Sequence, residues 1–135
     1  MKMPPIMSMS LEHARELWPD NAVEKVEHWN QYGRGGLGIR QDLFGFADVL
    51  SDGPNGTFYI QVTTKGCRSA RWKKLTGHLM ADETEAIVTK RMANIKSVLN
   101  GGSKVLIWSW HQPMGKGTRW EMDEKEVTLS DLKLD

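Results

Sequence analysis

Two carboxylates and an amide stand at spacings that invite chemistry. Asp42 and Asp48 lie in "DLFGFADVL" (42–50) and Gln61 in "TFYIQVTT" (57–64), with "SDGPNG" (51–56) between the two stretches. A hairpin turned at that glycine- and proline-rich corner lays Asp48 beside Gln61. Carboxylate oxygens and an amide carbonyl held together suit a hard divalent cation such as Mg²⁺, which keeps several waters of its own. One of those waters can become the nucleophile on a phosphodiester. Plainer roles exist for each residue: Asp48 as a strand-end carboxylate facing water, Gln61 as a satisfied sheet amide, Asp42 as a cap on the strand entry. Ala47, Val49 and Leu50 around Asp48 place it in a buried strand, where a carboxylate needs a partner.

The elements that must position these groups follow from the hydrophobic pattern. Alternation predicts a strand over "LFGFADVL", with Asp42, Phe44, Phe46 and Asp48 on one face, and a second over "TFYIQVTT", with Tyr59, Gln61 and Thr63 on one face. Ahead of them, "SLEHARELW" reads as a short helix capped by Ser10 and stopped by Pro19, and 26–29 reads as a bulge or a short strand. After them, 69–75 suits a helix broken at Gly77, 81–102 a longer helix ending at Gly101, and "KVLIWSWHQ" (104–112) a strand pairing with 117–129. Strands interrupted by helices that return to the same sheet predict an α/β sandwich with a mixed sheet.

Composition narrows the classes. At 135 residues, 39% hydrophobic and 26% charged, the chain is sized and composed for one globular domain, 1–135. It has no apolar run of bilayer length and no signal-peptide core near its start, so a cytoplasmic protein without a membrane partner is expected. Cys67 is the only cysteine and the four histidines are scattered, which argues against a disulfide or a Cys/His zinc site. A net charge of +1 hides local polarity: "KGCRSARWKK" (65–74) contains five cations and no acid, whereas "EMDEKE" (121–126) is mostly acidic. Lys65, Arg68, Arg71, Lys73 and Lys74, with Trp72 among them, are candidate nucleic-acid contacts, as are Arg34 and Arg40 beside the glycine-rich "QYGRGGLG" (31–38). That loop does not join strand to helix as a phosphate-binding fingerprint requires. Trp108 and Trp110 read as core or interface.

"FADVL", the thirteen-residue step from Asp48 to Gln61, and "IQVTT" resemble the core of the PD-(D/E)XK nuclease superfamily. Its pattern is an Asp on one strand and Glu-x-Lys on the next. More closely, "VEHWN", "RQDLFGFADVL" and "IQVTTKGCRSARWKK" resemble a group of small phage and bacterial proteins assigned to that superfamily and related to Holliday-junction-resolvase-like nucleases. The resemblance covers 22–75 and, more weakly, "VLIWSW". It implies a restriction-endonuclease-like α/β sandwich and a DNA endonuclease dependent on Mg²⁺ or Mn²⁺, with branched DNA among its candidate substrates, in a bacterial cell or phage-infected host and acting as a homodimer. By the same resemblance Asp48 and Gln61 hold the metal, and Gln61 and Thr63 stand where the pattern has Glu and Lys. Lys65, Arg71 or Lys74 would supply the missing cation, and Asp42, Glu27 or Glu16 the missing negative charge. A nuclease fold that has lost catalysis and binds DNA or protein is the alternative reading, and an unrelated α/β scaffold a third.

Overall fold

A computed structural model describes residues 5–30 and 39–133, with side chains left aside for 28–30 and 39–41. In chain order the elements are α1 (Ile6–Leu17), β1 (Ala22–Lys25), β2 (His28–Asn30), β3 (Ile39–Gln41), β4 (Val49–Gly53), β5 (Gly56–Thr64), α2 (Arg68–Thr76), α3 (Glu85–Asn100), β6 (Lys104–His111) and β7 (Glu121–Val127). A five-stranded sheet runs β1-β4-β5-β6-β7, and β2 pairs with β3 apart from it. Every pairing in the large sheet is antiparallel except β5 with β6, which α2 and α3 make parallel by carrying the chain back. The protein is thus α/β, a mixed sheet flanked by helices.

Strands β5 and β6 are buried on both faces over most of their length. Phe58, Ile60 and Val62 of β5 join Leu106, Trp108 and Trp110 of β6 in one core layer, against which α1 packs through Ala14, Met7 and Leu11. On the other face Val105 and Ile107 meet Leu75 of α2 and Met92 and Ile95 of α3. Tyr59, Gln61 and Thr63 belong by alternation to this second face. There Gln61 and Thr63 are almost fully buried polar residues.

The β4–β5 corner is as the sequence predicts, with Gly53 paired to Gly56 across Pro54 and Asn55. Asn21 fastens it by donating to Ser51 Oγ and the Gly56 carbonyl and accepting from the Asn55 amide. A Cβ on Gly53 would meet Asn21 Oδ1 at 2.6 Å, so the corner tolerates no side chain there. Between β5 and α2 a short 3₁₀ turn (Lys65–Cys67) ends on the exposed thiol of Cys67.

Two local expectations are corrected. Ser10 does not cap α1, which begins at Ile6; it is fully buried in mid-helix and accepts a 2.8 Å hydrogen bond from the indole of Trp110. Nor is "LFGFA" a strand. The chain turns back on itself there, with Leu43 bridged to Ala47, Phe44 at φ 55° and Gly45 at φ 81°. Glycine tolerates that conformation freely, whereas Phe44 is strained by it. Asp42 and Asp48 therefore do not share a strand face; a tight turn brings them together. The segment after β7 docks, since Leu132 is buried and the Lys133 amide donates to the Thr76 carbonyl.

Candidate metal centre

Asp48 lies one residue before β4 and stays in register with it, its amide donating to the Ile60 carbonyl at 2.8 Å. Alternation then sets its side chain beside that of Gln61. Gln61 Nε2 donates to Asp48 Oδ2 at 2.5 Å, and the Val62 amide donates to the same oxygen at 2.8 Å. On the other side of Asp48 the Val26 amide donates to its carbonyl, extending the β1 pairing by one residue and delivering Glu27. The turn at 43–47 delivers Asp42. Carboxylate oxygens of Glu27, Asp42 and Asp48 consequently lie within 4.8 Å of one another.

Asp48 is only 4% exposed. Burial first, then the charge of Asp42 and a hydrogen bond with it, push its carboxyl up to about 9; the Val62 amide opposes this and Glu27 adds to it. Asp48 is therefore protonated at neutral pH, and that proton relieves a crowd of like charge in a place water scarcely reaches. The Gln61 carbonyl oxygen is buried with no hydrogen-bond partner. A half-turn of the amide exchanges it with the nitrogen that faces Asp48. Three carboxylates and an orphaned carbonyl oxygen fit a hard divalent cation, for which the extra proton is a poor substitute.

Lys74 Nζ is 3.5 Å from Asp42 Oδ2, so a cation from α2 does reach the acidic group. Thr63 is buried two residues beyond Gln61 and brings no charge. Lys65 and Lys73 are exposed, and Arg68 is bonded to Asp123 at 3.4 Å. Arg68, Arg71 and Lys74 follow one another along one row of α2, and Lys73 lies off that row. Trp72 packs against the core and its ring is covered by Lys125 Nζ, 4.1 Å from the centroid. Glu16 lies on α1, across the sheet from the acidic group, lining a shallow groove with His13, Trp110 and Trp120. Arg34 falls outside the described residues, and of Arg40 only the backbone, in β3, is described.

A supporting residue escaped the sequence reading. Arg91 of α3, 2% exposed, makes two hydrogen bonds to Glu83 and a third, 3.2 Å long, from Nε to the Lys74 carbonyl. Its side-chain carbons lie 3.8 Å from where a Cβ on Gly45 would be, so it underlies the turn that presents Asp42. The signal was a lone arginine in the apolar stripe Val88, Met92, Ile95.

Comparison with protein-family models, with curated proteins and with solved structures gives no match to this chain.

Proposed function

We propose that this protein is a metal-dependent DNA endonuclease of the restriction-endonuclease-like type, with Mg²⁺ or Mn²⁺ held by Asp48, Asp42, Glu27 and Gln61. The observation that carries the reading is the convergence of carboxylates from three separate segments within 4.8 Å around the buried Asp48. The topology is compatible with it: β1, β4 and β5 form an antiparallel meander, and α2 and α3 carry the chain across to a parallel β6. When bound, the ion would supply Lewis acidity at a phosphoryl oxygen and an acidified water. The chain's own part is to orient. Gln61 and the Val62 amide fix the Asp48 carboxyl, while Lys74 neutralises Asp42 and lies near enough to meet a phosphate. Lys65, Arg68, Arg71, Lys73 and the arginines at 34 and 40 are proposed as contacts along the nucleic acid. A cytoplasmic location and a homodimer belong to the same reading; no helix among the described residues is long and apolar enough to cross a membrane.

The test is incubation of the purified protein with linear, single-stranded and four-way-junction DNA in Mg²⁺ or Mn²⁺, beside Asp48→Ala. Cleavage by the parent and none by the variant is expected. One feature favours a second reading, a nuclease fold retained for binding alone: an amide and a hydroxyl, Gln61 and Thr63, stand where a carboxylate and an amine would serve catalysis. Metal-independent binding without cleavage would establish that reading, and neither binding nor cleavage would end both.

A further inference from the structure

Arg68, Arg71 and Lys74 follow one another at three-residue steps on α2 and form a ridge along it. Its two ends are answered by acids: Arg68 Nη1 lies 3.4 Å from Asp123 Oδ2, and Lys74 Nζ lies 3.5 Å from Asp42 Oδ2. Arg71 between them has neither ion pair nor hydrogen bond among the described residues, although its Nε is buried. A guanidinium cannot shed its charge. Leaving it half-sequestered without a counter-charge is costly, and an anion removes that cost. The other cations of the region are satisfied differently. Lys65 and Lys73 are exposed to water.

We propose that Arg71 is the seat of an oxyanion subsite for a phosphate group. The planar guanidinium grips a phosphate through two parallel hydrogen bonds, a fit that lysine does not reproduce. Its place on the ridge is one helical step, about 5–6 Å between Cβ atoms, from Lys74 at the acidic group. The phosphate it takes is therefore the neighbour, along one strand, of the one at the acidic group. That last assignment rests on the nuclease reading; the subsite itself does not.

Anisotropy of a fluorescein-labelled single-stranded oligonucleotide, titrated in EDTA at several NaCl concentrations, tests it with the full chain, Arg71→Gln, Arg71→Lys and Lys73→Gln. Arg71→Gln is expected to weaken binding about tenfold or more and to lower the slope of log affinity against log salt by about 0.7. Arg71→Lys restores the slope but only part of the affinity, and Lys73→Gln changes affinity by less than Arg71→Gln. Inorganic phosphate raises the melting temperature of the parent more than that of Arg71→Gln. Unchanged affinity and slope in Arg71→Gln, or an equal loss in Lys73→Gln, overturns the proposal. Mn²⁺ binding, followed by its electron paramagnetic resonance signal, is expected to be the same in parent and Arg71→Gln. If Mn²⁺ does not bind while Arg71-dependent phosphate binding persists, the metal centre is wrong and the subsite stands; the reverse removes the subsite alone.

Discussion

At Asp48 burial and neighbouring charge act in the same direction, and the sign of the result can be worked out. Its carboxyl ionises near pH 4 in an unfolded chain and at about 9 when folded. Between those values the folded state holds the extra proton, so the stability Asp48 contributes is complete below about pH 4 and is lost as pH rises through about 9. In EDTA the melting temperature should therefore fall from pH 6 to pH 9, and Asp48→Asn, which carries no titrating proton, should flatten that decline. Magnesium should do the opposite to the parent at pH 8.5, raising the midpoint because it binds only the folded form. Its affinity by calorimetry should be greater at pH 8.5 than at 6.5, since the ion must displace the proton. A midpoint insensitive to magnesium at both pH values would remove the metal centre. Asp48 and Gln61 were legible as neighbours because a two-residue corner fixes register. Asp42 arrives by another route than alternation predicts: the pattern sets it on a strand, whereas Phe44 and Gly45 turn the chain. A central glycine in an apolar run was the available sign.

Among the elements, α3 does more than cover the sheet. Arg91 ties it to the Lys74 carbonyl of α2 and to Glu83, with side chains 2% and 13% exposed. The Arg91 hydrogen bond holds the Glu83 carboxyl below the usual carboxylate range, so this stabilisation is present above the unfolded pKa and fades as pH falls through the folded one. Glu83→Ala leaves a buried guanidinium without its partner and should cost about 3–5 kcal/mol in urea unfolding. On the opposite face Ser10→Ala strands the buried Trp110 indole and should cost about 1–3 kcal/mol by the same measurement. Helix α3 and strands β5 and β6 were visible from period and turn residues. Helix α1 begins at Ile6 and not after Ser10; a serine near a helix start reads as a cap, and only the tertiary fold supplies the indole that claims it.

Over the whole molecule, the sheet is most protected where β5 and β6 run parallel under helices on both sides. Amide hydrogen exchange should be slowest there and faster in the edge strands β1 and β7, the latter exposed through Glu124, Lys125 and Glu126. Slow exchange confined to β4 and β1 would contradict the layering. Charged side chains on β7 also discourage another chain from adding to that edge. The mixed sheet was legible in the succession of strands and helices, but the pairing of β5 with β6 was not, because nothing local specifies which strands a long crossover unites. The sole sulfhydryl, Cys67, offers a practical handle on the molecule. It is exposed at the join between β5 and the helix that carries Arg71 and Lys74. A maleimide dye would attach at one defined point, and its emission would report the arrival of an oligonucleotide without any change to the acidic group.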